Sequence, residues 1–186
     1  MTHGPRKRVP FRRRREGRTD FRFRKRLILS EKPRACVRLS LEGVSVQFID
    51  FEFVGDRTLA AATSGDIRKL GWTASGDSTP AAYLVGFLAG KRAVKAGVGE
   101  AVLDIGRRTP TKGARVFAAL KGIVDAGVKV PHDKAILPAA DRINGKHLKV
   151  TAVDQLVASV KRACDSAPET RKEWRAAAPA GGRADA

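Results

Sequence analysis

Between Arg6 and Arg26 the chain reads "RKRVPFRRRREGRTDFRFRKR", with twelve Lys/Arg among 21 residues and Phe11, Phe21 and Phe23 set between them. A guanidinium presents a planar fork of donors that meets a phosphate in two parallel hydrogen bonds and can stack on a base. A Phe ring offers a face to an unpaired base. The chemistry within reach is capture of a polyphosphate chain. Its candidates are Arg6, Lys7, Arg8, Arg12, Arg13, Arg14, Arg15, Arg18, Arg22, Arg24, Lys25 and Arg26, with Phe11 and Phe21 as stacking groups. A second basic element, "GRRTPTKGAR", supplies Arg107, Arg108, Thr109, Lys112, Gly113 and Arg115. There, backbone N–H groups near Gly113 and a following helix start would add a dipolar attraction for phosphate. Taken alone, that loop reads equally well as a solvated connection.

The charge distribution favours an anionic partner. The formal net charge is +18, and residues 1–38 hold 15 Lys/Arg against Glu16, Asp20 and Glu31, a net of +12. Two thirds of the excess therefore sits in one fifth of the chain. So much concentrated self-repulsion implies a counter-charge that is present most of the time. If ~8 of these side chains meet phosphates, affinity should fall by several decades over a ~10-fold rise in salt. Competing uses fit poorly. "LIL" at 27–29 is too short for a secretory apolar region, and Pro5, Pro10 and Gly17 interrupt an amphipathic presequence. Three Phe do not make the continuous apolar face of a membrane anchor. Apolar runs stop well short of membrane-spanning length. Cys36 and Cys164 have neither disulfide nor metal spacing, which suits a reducing, intracellular setting.

Catalytic groups are sparse. His3, His132 and His147 lack partners at ligand spacing. "GVGEAV" at 97–102 follows a helix pattern and precedes a strand pattern, the reverse of a dinucleotide loop. Asp104, at a strand end, stands where a ribonuclease H-like nuclease would hold one acid of a two-metal site. The first strand, however, carries Arg38 where that chemistry needs a further carboxylate. No enzyme, cofactor or metal is expected.

The positioning elements follow from periodicity. "RACVRLSLEGVSVQFIDF" alternates about a Glu42-Gly43 turn, with Ala35, Val37, Leu39 and Leu41 on the same side as Val44, Val46 and Phe48. A third strand is predicted over 58–64, and a helical turn after it ends at Gly71. "TPAAYLVGFLAGKRAVKAGV" and "TPTKGARVFAALKGIVDAGV" repeat at an offset of 30 residues and read as helices. In the first, Thr79 would cap, Pro80 would open the helix, and Tyr83, Phe87 and Val94 would share a side. Between them lies a buried strand in Glu100–Gly106. Gly86, Gly90 and Gly122 are expected to let the helices approach the sheet closely. The fold class is α/β, a mixed sheet with the order β-β-β-α-β-α of the ribonuclease H-like motif. The domain plan is a basic arm over 1–33, held extended by its Pro and Gly breaks, and an α/β core over 34–131. An extension over 132–167 follows, with a helix at about 151–165 capped by Thr151, and then a flexible tail over 168–186.

Three stretches, "VPFRRRREGRTDFRFR", "STPAAYLVGFLAGKRAVKAGV" and "EAVLDIGRRTPTKGARVFAALKGIVDAGVKVPHD", resemble the archaeal and eukaryotic-type branch of the universal large-subunit ribosomal protein eighteen family. The resemblance spans about residues 4–150. It implies a non-catalytic α/β protein of the cytoplasmic ribosome. It further implies a component of the central protuberance that binds 5S rRNA and ties it to large-subunit rRNA and to neighbours, notably universal large-subunit protein five. The family's RNA-binding arm falls on Arg6 to Arg26 and its strand-to-helix loop on Arg107 to Arg115. The competing readings are a free-standing RNA-binding or assembly factor and, third, a ribonuclease H-like nuclease. Trp174, in a C-terminal stretch without counterpart, would either dock on a neighbour or have no role.

Overall fold

The computed structural model describes residues 4, 8–148 and 153–165. Arg6, Lys7, the Thr151 cap and the 168–186 tail with Trp174 lie outside the described residues. Two helices stand in the arm, α1 (Arg12–Arg15) and α2 (Phe21–Ile28). Strands β1 (Arg34–Leu39), β2 (Val44–Asp50) and β3 (Arg57–Thr63) form an antiparallel meander, and β4 (Val102–Asp104) pairs parallel to β1, giving the order β3-β2-β1-β4. Helices α3 (Ser64–Lys69), α4 (Thr79–Lys95) and α5 (Arg115–Asp125) precede and follow β4, and a 3-10 turn (Lys134–Ile136), α6 (Ala140–Ile143) and α7 (Val153–Asp165) complete the described chain. This is the expected mixed-sheet α/β class.

One face of the sheet builds the core. Ala35 and Val37 of β1, Val44, Val46 and Phe48 of β2, and Ala60 and Ala62 of β3 are all buried, as alternation demands when one face packs and the other does not. Leu41 does not join them: the strand ends at Leu39, and Leu41 sits in the turn, 95% exposed. The Ser40 N–H donates to the Gly43 carbonyl at 2.8 Å, closing the hairpin before Leu41 can take its place in the alternation.

Helix α4 is buried around most of its circumference, as a helix enclosed on several sides must be. The sheet, α5 and α7 all pack against it. Its cap is Ser78, whose hydroxyl accepts the Ala81 N–H at 3.3 Å; Thr79 is already helical, so the helix starts one residue earlier than the sequence pattern suggests. Tyr83 and Phe87 stack at 6.4 Å, with the Lys161 ammonium of α7 5.1 Å from the Phe87 ring centroid and 3.0 Å from the Tyr83 hydroxyl. Val94 belongs to another side and is half-exposed.

The helix glycines serve a different contact from the one expected. A Cβ on Gly86 would fall onto the Ala119 carbonyl of α5, and one on Gly122 onto the Tyr83 carbonyl of α4. They allow helix to meet helix, backbone against backbone, rather than helix to meet sheet. The repeated segments are thus the two halves of one helix pair. After α5, Lys129 bridges Glu100 in parallel, with the Ala101 N–H reaching the Lys129 carbonyl at 3.0 Å, so the chain returns alongside the start of β4.

Candidate nucleic-acid interface

The other sheet face is polar and lies under the arm. Arg34, Cys36 and Arg38 alternate along β1 opposite the core residues, next to Gln47 and Ile49 of β2 and to Asp104 of β4. The arm reaches this face as helix, not as extended chain. Asp20 supplies the cap: its Oδ1 accepts the Arg22 N–H at 2.9 Å and the Phe23 N–H at 3.1 Å, and the Phe23 bond chiefly holds its carboxyl below the ordinary range. Leu27 is the buried residue of α2. Arg24 then ties the helix down through an ion pair with Asp56 Oδ2 at 2.8 Å.

Asp56 begins a chain of charges that runs to the basic loop. The same oxygen takes Arg34 Nη2 at 2.6 Å, and Arg34 Nη1 lies 3.3 Å from Asp104 Oδ2. Asp104 Oδ1 accepts Arg38 Nη2 at 3.1 Å and the Gly106 N–H at 2.8 Å, while the Cys36 thiol donates to Oδ2 at 3.3 Å. Burial alone would raise the Asp104 pKa, but Arg38, the Gly106 amide and the Cys36 thiol outweigh it and leave the carboxyl below its ordinary value. Burial, with the Asp104 charge behind it, pushes the Cys36 thiol up to about 12, so it stays protonated and inert.

Asp104 is therefore a fastener for arginines. Among the described residues no group of three His, Cys, Asp or Glu is placed to hold a metal ion. Asp104→Asn should cost about 2 kcal/mol, because the buried Arg34 would keep Asp56 but lose the second of its two carboxylates, and Arg38 would lose its own. Its depressed folded pKa gives stability that is present above pH 3.8 and lost as pH falls through the folded value. Chemical denaturation of wild type and variant at pH 7 and below pH 3 checks both: the difference should shrink in acid.

Above this network the arm and the loop face one another. A cleft of about 480 Å³ has Arg38, Gln47 and Asp104 at its floor, with Arg13 and Arg18 on the arm side and Arg107 and Arg108 on the loop side. Arg38 was not among the candidates; its place midway along β1, out of phase with Ala35 and Val37, is the signal that could have found it. Arg13 and Arg18 are partly engaged, by Thr19 at 2.9 Å and Glu16 at 3.0 Å respectively. Arg14, Arg15, Arg22, Lys25 and Arg26 are exposed and form no ion pair among the described residues, and Arg8 is exposed too. Arg12 reaches Glu16 only at 3.8 Å. Phe11 is 76% exposed and meets Phe21 at 6.0 Å, so the two rings lean on each other and join the ends of α1 and α2.

The loop candidates divide. Arg107, Arg108, Thr109 and Lys112 are exposed, with Arg108 braced by a 2.8 Å bond to the Leu39 carbonyl. Arg115 is half-buried and committed to Asp77 at 2.7 Å. Gly113 has φ +70, and its N–H donates to the Ile136 carbonyl at 3.0 Å, which removes the backbone donor expected there. Ala114 caps α5 without a side-chain acceptor. A second hollow, near Lys112 and Arg115, also includes Arg142 of α6, which sequence spacing did not connect to the loop. The arrangement can take a phosphate backbone entering between arm and loop.

Relatives are consistent with this geometry. The family described as ribosomal large subunit proteins 60S L5, and 50S L18, matches residues 5–99 and 95–133. A large ribosomal subunit protein uL18 of Aeropyrum pernix is 54% identical over 149 residues, covering 80% of this chain and 70% of the relative. Its Korarchaeum cryptofilum namesake is 53% identical over 148 residues, covering 80% and 76%. That of Methanoregula boonei is 45% identical over 171 residues, covering 87% and 98%. The chain belongs to this family, in its archaeal type, and is a structural, non-enzymatic constituent of the large subunit of the cytoplasmic ribosome, with ribosomal RNA and ribosomal proteins as its partners.

Proposed function

We propose that the protein binds 5S rRNA and anchors it to the large-subunit rRNA in the central protuberance, beside universal large-subunit protein five. The observation that carries this reading is the facing of Arg13 and Arg18 by Arg107 and Arg108 across one cleft. Two basic elements 90 residues apart in sequence converge on a single groove, which suits one backbone gripped from two sides. Asp104 and Asp56 brace that groove from beneath, spacing the guanidiniums of Arg34 and Arg38 while neutralising part of their repulsion. The exposed face of Phe11 adds a surface for an unpaired base.

Titration of the full chain with 5S rRNA, against a structured RNA of equal length, tests the reading. Preference for 5S rRNA is expected, and equal affinity for both would sink it. In the same assay, changing Arg107 and Arg108 together to Ala should weaken binding by about 10-fold, less than a comparable change in the arm, since a loop facing a second grip is partly redundant.

A further inference from the structure

The turn between β2 and β3 differs in charge from everything around it. From Leu39 to Asp56 the sequence has Glu42, Asp50, Glu52 and Asp56 and no Lys or Arg, in a chain that carries 37 of them in 186 residues. Asp56 is consumed internally by Arg24 and Arg34. Asp50 and Glu52 are exposed and form no ion pair among the described residues. The apolar side chains beside them are exposed too: Phe53 is 99% and Val54 102% exposed, and Phe51 meets Phe53 edge-on at 5.5 Å. The Phe51 N–H donates to Asp50 Oδ1 at 2.9 Å, which fixes the chain as it leaves β2.

Exposed aromatic rings on the connection between two strands invite an occupant, because burying them releases water. Their neighbours decide its class. Phosphates approaching Phe53 would meet Asp50 and Glu52 within a Debye length, two negative charges against the single positive charge of Arg57, the register partner of Asp50, and be repelled on balance. The sheet register also sets this turn beside the starts of β1 and β4, at the opposite end from the basic loop after Asp104. An apolar protein pocket with a basic rim would answer both features, since interfaces centre on desolvated aromatic anchors and use charge to set register.

We propose that the β2–β3 turn is a protein-docking knob: Phe53 and Val54 enter an apolar pocket of a second protein whose rim carries Lys or Arg facing Asp50 and Glu52. This goes beyond the RNA grip and stands or falls separately from it.

The test is photo-cross-linking in assembled large subunits, with p-benzoylphenylalanine placed at position 53 of the full chain. Sequencing should find the cross-link on a peptide of one protein that combines apolar residues with Lys or Arg. Adding Asp50→Lys and Glu52→Lys should cut the yield at least about 10-fold, without lowering the chain's affinity for rRNA measured in parallel. A cross-link to rRNA, no cross-link, or a yield indifferent to the charge reversal would overturn the proposal. Should the charge-reversed chain fail to enter particles, the identity of the cross-link in the original charge background decides alone.

Discussion

Changing Arg12, Arg13, Arg14 and Arg15 together to Gln is expected to weaken binding to 5S rRNA by about 100-fold or more at physiological salt, and to reduce the slope of log affinity against log salt by about three. All four are exposed on a single helical turn. Among the described residues their acidic partner is Glu16, 3.8 Å from Arg12 and shared with Arg18. Such a cluster is self-repelling in the free protein, and polyphosphate relieves it by releasing condensed counterions. Salt titration from low to high ionic strength reads the slope directly. Parallel slopes for variant and wild type would mean that these side chains do not meet phosphates. The core should be indifferent to the change, because no residue of α1 is buried, and an unchanged melting temperature would verify it.

A change of the opposite kind, one methyl group inside the fold, should be as damaging to stability as the arm change is to binding. Gly86→Ala places its Cβ on the Ala119 carbonyl, with the Ala119 Cα within 2.8 Å, so backbone must move. Alanine gains about 1 kcal/mol of helix propensity over glycine, but forced separation of α4 and α5 loosens the central contact of the core. Gly122→Ala meets α4 in the same way from the other side, 2.6 Å from the Phe87 backbone nitrogen. Overpacking of this sort costs about 3 kcal/mol or more when it falls on backbone, and the net loss should exceed the propensity gain. Urea denaturation measures it. A variant as stable as wild type would show that the helix pair can slide apart freely. Gly97→Ala is a useful contrast: it has open space around it, and its φ of +82 alone would make the substitution unfavourable.

What could be read from the sequence follows the range of the interactions. Alternation along β1 and β2 and the apolar stripe of α5 were legible, because each depends on which side of a local element faces the core. So was the class of the sheet. Leu41 was misplaced because alternation continues through a turn that a backbone bond between Ser40 and Gly43 closes earlier. The helix glycines were identified as close-approach points, but composition does not say which surface they approach; only the pairing of α4 with α5 does. The arm misled most. Its Pro and Gly breaks suggested extended chain, yet Asp20 sits one residue before "FRFRKRLI", where a carboxylate caps a helix, and Asp56 and the buried Leu27 then hold that helix against the sheet.

The candidate site was legible in its charges and not in its assembly. Arg12 to Arg15, Arg107 and Arg108 could be picked out as cations with few nearby acids. Arg38 shows on the polar phase of β1, but its bond to Asp104 depends on the pairing of β1 with β4, and that Arg142 joins them depends on contact from α6 to the loop, which no local pattern encodes. The same long-range pairing changed the meaning of Asp104. In sequence it is an acid at a strand end; in the fold it is the buried anchor of Arg34 and Arg38. Arg115 moved the other way, from candidate phosphate ligand to internal partner of Asp77, whose carboxyl is held below its ordinary range chiefly by the Ser75 hydroxyl.

Density for the intact large subunit around residues 8–26 provides the most direct check on the central claim that the basic arm is neutralised by ribosomal RNA. The guanidiniums of Arg12 to Arg15 should lie within hydrogen-bond distance of phosphate oxygens, with RNA also reaching Arg107 and Arg108 across the cleft. An ordered particle in which those arginines face bulk solvent would contradict the account.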